Sequence, residues 1–313
     1  WGRDLSDRPG LTVTEMIGAA GEDIRALFIM AENPALSDPD VNHVLERLPA
    51  LDFLVVQDIF LTETARLTHL ILPGACYAEK TGTFTNTERR FQLLRKAVEP
   101  PGDAEDDFSI LCRLGRALGL DFPYRNPGEV MEEIAAMAPA YGGIRYGRLE
   151  KEGIQWPCPN IEHPGTAFLH KDRFTRGKGL FVVPDHVPPR ESPDGDYPFW
   201  LSTGRMFAHY HTGTMTRRSA FLNREQEEPY VEIHPEDARE LALEDGDPVR
   251  ITSRRGSIVT TARVTRRVAR GSLFAPFHFT EARANRLTNP VLDPLSKIPE
   301  FKACAARVEK IKA

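Results

Sequence analysis

Three short apolar runs constrain the fold of this chain most: residues 24–30, 51–56 and 69–73. Each has the length of one strand, and helix-length sequence separates the first from the second. Ser37-Asp38-Pro39 predicts a cap with proline just inside a helix over 37–48, with Val41, Val44, Leu45 and Leu48 on one face. A second helix start is read at Thr62. Continuous apolar strands alternating with helices require a parallel sheet covered on both faces. Ligands of such sheets sit beyond the carboxyl ends of the strands. Asn33, Gln57, Asp58 and Thr62 fall at such ends.

A loop follows at 79–90, with Lys80, Gly82, Asn86, Arg89 and Arg90. On residue types alone it is either a plain connecting turn or a ligand contact. Asp106-Asp107 precedes an amphipathic helix, where an acidic residue favours the helix N-terminus. Asn126-Pro127-Gly128-Glu129 opens another helix that ends near Pro139. From 141 to 196 prolines, glycines and scattered aromatics read as a long wrapped connection. The remainder is rich in short strands, with a hairpin signal at Arg254-Arg255-Gly256 and one small helix after His234. That pattern predicts a closed or nearly closed barrel. The expected division is 1–140, 141–196 and 197–313.

The loop after the run 199–201 concentrates Thr203, Gly204, Arg205, His209, Tyr210, His211 and Thr212 with Arg217 and Arg218. Glycine admits close backbone approach, hydroxyls donate short hydrogen bonds, and arginine forks onto two anionic oxygens. This is the chemistry of a mould for a polyanionic cofactor. A polar surface loop, a metal held by His209 and His211 on one side of an extended segment, and a nucleic-acid contact are the competing readings. No carboxylate or cysteine stands at a convincing ligand spacing nearby, and no stacking aromatics interleave the basic residues.

Composition narrows the choice. With 40 basic and 45 acidic residues the net charge is −5, which excludes a general nucleic-acid binder. No apolar run reaches membrane-span length. Cys76, Cys112, Cys158 and Cys304 are far apart, so they read as buried free thiols rather than cluster ligands. The chain opens at Trp1 with no signal peptide, which reads as a fragment, a processed form or the ordered part of a longer chain, in the cytoplasm.

In one order along nearly the whole chain, Gln57-Asp58, Glu79-Lys80-x-Gly82 with Asn86 and Arg89-Arg90, Asp107, the stretch 203–218, and Asn285 with Lys302 resemble the C-terminal part of the molybdopterin-dependent oxidoreductases of the dimethyl-sulfoxide-reductase family. Ile154-Gln155-Trp156-Pro157-Cys158 and the segment 29–34 look most like the catalytic subunit of formate dehydrogenase. Nitrate reductase is the near alternative, and a non-catalytic molybdopterin-binding assembly subunit another.

The resemblance implies an α/β layer domain, incomplete at its N-terminus, followed by a six-stranded double-psi β-barrel. It implies molybdenum or tungsten held by two molybdopterin guanine dinucleotides. Asp58 and Asp107 would accept guanine N–H groups, with Gln57 and Thr62 beside them. Lys80 would supply positive charge or a donor near a tail, and Gly82, Asn86 and Arg89 would be further cofactor-binding residues. Thr203, Gly204, Arg205, His209, Tyr210, His211 and Thr212 would cradle pterin and phosphate, Asn285 and Lys302 would close over the pterin, and Phe277 would border the substrate or cofactor pocket. The metal ligand, the catalytic residues and an iron–sulfur cluster belong, in the family, to sequence before this chain begins. No catalytic residue is therefore assigned within it. Formate is the implied substrate. The N-terminal portion of the same subunit and electron-transfer subunits with iron–sulfur clusters, flavin or NAD are the implied partners.

Overall fold

The computed structural model describes residues 4–311; Trp1 lies outside them. They form two compact units, one of residues 10–56, 61–71 and 186–311, the other of residues 4–9, 57–60 and 72–185.

The predicted apolar runs become strands β1 (Ala26–Met30), β2 (Phe53–Asp58) and β3 (Leu70–Pro73), ordered β1-β2-β3 in one sheet. β2 and β3 run parallel: His69 N donates to Leu54 O and Gly74 N to Asp58 O. In the first unit Ile29, Leu54 and Val56 pack on Ile17, Val44 and Leu48. Fully burying one such side chain stabilises by about 1.5–3 kcal/mol. The helix expected over 37–48 is two pieces, Pro34–Ser37 and Val41–Arg47. Asp40 between them is left-handed (φ 45°), which breaks the run. Its cause is tertiary: Asn33 Oδ1 accepts from Thr64 N and Oγ1, and Pro34 starts a turn of its own. After Thr62 only a single 3-10 turn forms, Ala65–Leu67.

In the second unit β4 (Gly82–Thr85), β5 (Arg90–Leu94) and β6 (Ile154–Gln155) make an antiparallel sheet. Met131, Ile144, Leu149, Ile154 and Cys158 form its core, so part of the 141–196 stretch packs here. The helix Asp107–Ala117 is capped by Asp106, and Pro127–Met137 by Asn126.

The barrel belongs to the first unit. β7 (Phe199–Gly204), β8 (Tyr230–Ile233), β9 (Pro248–Ser253), β10 (Ser257–Val264), β11 (Ser272–Pro276) and β12 (Cys304–Lys310) close in the order β10-β8-β11-β7-β12-β9. β9 and β10 are the predicted hairpin. Alternate residues point inward, Val249 and Ile251 on β9, Ile258 and Ala262 on β10. β7 and β11 are parallel neighbours, with Thr203 opposite Ala275 and Gly204 opposite Pro276. Their carboxyl ends therefore leave the barrel side by side, and both deliver candidate residues. Cys112, Cys158 and Cys304 are buried free thiols; Cys76 is half-buried.

Candidate functional site

At the end of β7 the chain must turn sharply. Gly204 is there because a β-carbon would stand 2.3 Å from the Phe274 ring. Thr203 Oγ1 donates to Phe301 O at 2.8 Å, and Lys302 Nζ donates to Thr203 O at 2.6 Å. These bonds tie the segment before β12 to β7. They fix Lys302 beside Arg205, with its ammonium 5.4 Å from the Phe277 ring centre. Beyond them opens a cavity of about 600 Å³ lined by Ser37, Arg205, His211, Thr212, Phe277, Asn285, Phe301 and Lys302.

The lining carries two full cations, two hydroxyls and an imidazole, and no carboxylate. Burial, with Arg205 nearby, lowers the Lys302 ammonium below its usual range. An anion placed here would relieve that. Arg205 Nη2 lies 3.3 Å from His211 Nδ1. Asn285 gives both amide protons to the carbonyls of Leu36 and Ser37, at 3.1 and 2.9 Å, so its buried Oδ1 faces no protein donor. A ligand that is anionic and also carries N–H groups matches this set.

Of the sequence-predicted residues, Arg205, His211, Thr212, Phe277, Asn285 and Lys302 meet in this cavity. Thr203 and Gly204 brace it, and Tyr210 stacks edge-on against His211 at 4.3 Å. His209 does not line it. His211 is left-handed (φ 50°), so the two histidines do not share one side of an extended segment. His209 is buried and stacks on His278 at 4.4 Å. Its Nδ1 lies 3.2 Å from Thr216 Oγ1, which also accepts from Tyr210 N. Arg217 grips Glu281 with two hydrogen bonds, 2.6 and 3.0 Å, and lies over Phe279. Gly213 (φ 76°) lets Arg217 and His278 approach; a β-carbon would be 2.7 Å from Arg217 Cγ. This knot sets the path of the Thr212 wall.

His278 escaped the sequence reading, as did Ser37 and Phe301 as lining residues; Thr216 lay within the stretch 203–218 but was given no role of its own. His278 stands in a strand-like apolar run that gives no polar signal, whereas Phe301 adjoins a predicted lysine.

His278 gives a pH prediction. Burial, then His209 and Arg217, push its imidazolium down to about 3 from an ordinary 6.5. Between those values the unfolded chain binds a proton that the folded one does not, so stability falls as pH falls. The loss is about 2 kcal/mol at roughly pH 5. His278→Phe should lack this acid-side loss. Urea unfolding of both proteins across that range measures it, and parallel pH slopes would refute it.

In the second unit, Gln57 Nε2 donates to Asp107 Oδ1 at 2.6 Å, and Lys80 pairs with Asp107 Oδ2. Gly74 lies between the two: a β-carbon built on it would make ordinary contacts, 3.5 Å from Asp107 Oδ1 and 3.7 Å from the Asp58 carbonyl. Gln57, Asp58, Lys80 and Asp107 are thus brought together, and each Asp107 oxygen keeps a second lone pair for a ligand. Asn86 and Arg89 serve the hairpin. Asn86 Oδ1 accepts from the amides of Glu88 and Arg90; Arg89 donates to the carbonyls of Trp156, Thr166 and Ala167. Gly82 has open space around it. Thr62, in the first unit, caps its own turn by accepting from Ala65 N at 3.1 Å.

Two family models match in tandem. Residues 2–117 match the molybdopterin oxidoreductase model, and residues 199–305 the molydopterin dinucleotide binding domain, whose range contains the cavity's Arg205, Phe277, Asn285 and Lys302. The chain belongs to the molybdopterin oxidoreductases. It is 52% identical to the F420-dependent formate dehydrogenase subunit alpha of Methanocaldococcus jannaschii, over 99% of this chain and 47% of that protein. It is 40% identical to the assimilatory nitrate reductase catalytic subunit of Bacillus subtilis, over 98% of this chain and 46% of that protein. The acetylene hydratase of Pelobacter acetylenicus shares the fold, with TM-score 0.75 at 20% identity over 95% of this chain and 46% of that one. The chain spans about half the length of the curated relatives it matches.

The molybdopterin oxidoreductase cavity fits the family's cofactor by donor type. Arg205 and Lys302 would meet its anionic oxygens, Thr212 would donate a hydroxyl proton, and Asn285 Oδ1 would accept an N–H. No helix of the described residues is long and apolar enough to cross a membrane.

Proposed function

We propose that this chain is the cofactor-binding portion of a formate dehydrogenase that oxidises formate to carbon dioxide. One observation carries the reading: the cation-rich, carboxylate-free cavity at the barrel end, in a chain 52% identical to a formate dehydrogenase alpha subunit. The bound bis-pterin guanine dinucleotide, with molybdenum or tungsten, supplies two-electron redox chemistry. The chain's own residues bind and orient it. Arg205 and Lys302 hold negative charge and hydrogen-bond it; such contacts around a metal group tune its potential. Asp58 and Asp107, with Gln57 and Lys80, read the guanine edge. Residues 1–140 and 197–313 act as the two cofactor-holding domains, joined by 141–196.

The metal ligand and an iron–sulfur cluster lie in further polypeptide of the same subunit, in this reading. Electrons leave through iron–sulfur subunits in the cytoplasm. The Methanocaldococcus relative is named for dependence on F420, and we carry that acceptor to this protein.

A nitrate reductase is the second reading, favoured by the 40% identity to one. The test uses the intact assembly from its native source. Formate-dependent dye reduction without nitrate-dependent dye oxidation is expected, with molybdenum or tungsten and pterin bound. The opposite pair of activities supports nitrate reductase. Absence of metal and pterin leaves a non-catalytic subunit.

A further inference from the structure

One carboxyl stands next to the cavity wall with half of it left unbonded. Asp38 follows Ser37, which lines the cavity. Asp38 is only 7% exposed, and its Oδ2 is buried without a hydrogen bond. Its Oδ1 lies 3.2 Å from Ser37 Oγ, and Ser37 Oγ lies 3.1 Å from Asn33 O. Neighbouring segments carry charge: Glu32 and Asp40 beside it, His43 on the next helix, Glu63 and Arg283, which bond Asn33 and Ala35, and Arg205 and Lys302 in the cavity. Among the described residues the side chain of Asp38 bonds Ser37 and none of these groups. Burial first, then the charge of Glu32, raise its carboxyl to about 7, and the Ser37 hydroxyl lowers it in part.

The contact between Ser37 and Asp38 runs in one of two directions. A hydroxyl has one hydrogen and two lone pairs. Beside a carboxylate, Ser37 donates its hydrogen to Asp38 and turns only lone pairs toward the cavity. Beside a neutral carboxyl, Asp38 donates instead, and the Ser37 hydrogen is released. Asn33 O does not need it, because that carbonyl already accepts from the amides of Leu36 and Ser37, both at 2.9 Å. The proton on Asp38 therefore decides whether this part of the wall offers an anion a donor or a lone pair. An ionised Asp38 would also repel the anion that Arg205 and Lys302 attract.

We propose that Asp38 couples cofactor binding to one proton: the cavity takes its anionic ligand with Asp38 neutral and Ser37 donating, and Asp38 ionises when the ligand leaves. The proton comes from water as the ligand binds and returns to water on release. The inference rests on the proposed function in one respect, that the cavity holds the anionic pterin cofactor. It stands whether the substrate is formate or nitrate.

The test uses the full-length catalytic polypeptide assembled with its natural partners, loaded as purified or stripped by dialysis, as wild type and as Asp38→Asn. Asparagine keeps the shape and a donor toward Ser37 but does not ionise. The bound anion raises the carboxyl further, whereas the stripped site ionises near neutrality. At about pH 8 the infrared difference between wild type and variant should show the stretch of a protonated carboxyl in the loaded enzyme and of a carboxylate in the stripped one. Metal and pterin per chain at equilibrium should report an affinity about tenfold weaker at about pH 8 than at about pH 6 in wild type, and equal within about twofold in Asp38→Asn. A carboxylate signal from Asp38 in the loaded enzyme overturns the proposal, as does a pH dependence that Asp38→Asn retains. If Asp38→Asn does not fold, Glu32→Gln decides. Without that charge Asp38 ionises at lower pH, so the midpoint of cofactor loss should move down in pH; an unmoved midpoint overturns the proposal. A wild-type assembly with neither metal nor pterin at any pH removes the cofactor reading and this one with it, whereas a loaded enzyme with the wrong Asp38 signal removes this one alone.

Discussion

Arg205→Ala should leave the protein folded and deprive it of most of its metal and pterin. The side chain is exposed, so its removal should change folding stability by no more than about 0.5 kcal/mol. Its place in the cavity is another matter. The guanidinium stands beside His211 and close enough to Lys302 to lower that ammonium's affinity for protons. Lys302 is held by the Thr203 carbonyl and Arg205 by the His211 ring, so two cations stand together at a cost that an anionic ligand offsets. Loss of one charge-assisted hydrogen bond weakens binding by about 1.5–3 kcal/mol, or roughly 10- to 100-fold. Arg205→Lys should recover the charge but not the fork, and retain an intermediate amount. Metal analysis and pterin fluorescence per chain, with a thermal melt of the same samples, decide it. Full metal and pterin in Arg205→Ala would remove Arg205 from the site.

Glu191→Ala should cost about 3–5 kcal/mol of folding stability, because it leaves a buried cation without its anion. Glu191 lies before the barrel but closes it. Its carboxylate accepts from Arg255 at 2.5 and 3.1 Å, from Arg254 at 2.6 Å, and from Ala305 N on β12 at 2.9 Å. The Glu191 and Arg255 side chains are only 10% and 12% exposed. Burial alone would raise the carboxyl's pKa, but Arg255 and the Ala305 amide outweigh it and hold it below the usual range. A depressed carboxylate contributes fully above its unfolded-state pKa and loses that contribution as pH falls through the lower folded one. The gap between wild type and variant should therefore be full at neutral pH and shrink in acid. Urea unfolding at several pH values measures it. A difference under about 1 kcal/mol at neutral pH would mean that the arginines find other partners.

Strands were the most legible part of the sequence. The runs at 24–30 and 51–56 and the Arg254-Arg255-Gly256 hairpin carry their own signals, since a buried strand needs unbroken or alternating apolar residues whatever surrounds it. The helix over 37–48 was less so. A long-range bond from Asn33 to Thr64 reset its start, and local capping rules cannot see such a bond. Residues on loops divided by what their neighbours did. Arg205 and Lys302 reach the cavity because they adjoin barrel strands, and Asn285 because the carbonyls of Leu36 and Ser37 hold it there. Asn86 and Arg89 have the same ligand-like chemistry, but the hairpin takes their hydrogen bonds. His209 and His211 look alike in sequence; one left-handed residue sends one into a buried stack and the other to the rim. Glu191 sits in a proline-rich stretch that reads as a linker, and only the folded barrel brings Arg255 to it.

The parallel pairing of β7 and β11 works as a ruler. Arg205 and Phe277 each follow directly on a pair of residues locked opposite one another, Gly204 and Pro276. Neighbouring strands lie about 4.8 Å apart, and neither loop can stretch that spacing. Insertions can lengthen what hangs beyond the barrel, yet the gauge between these two side chains stays fixed. A relative whose cavity takes a differently shaped ligand would therefore have to change which side chains stand at the two positions, because it cannot change how far apart they stand.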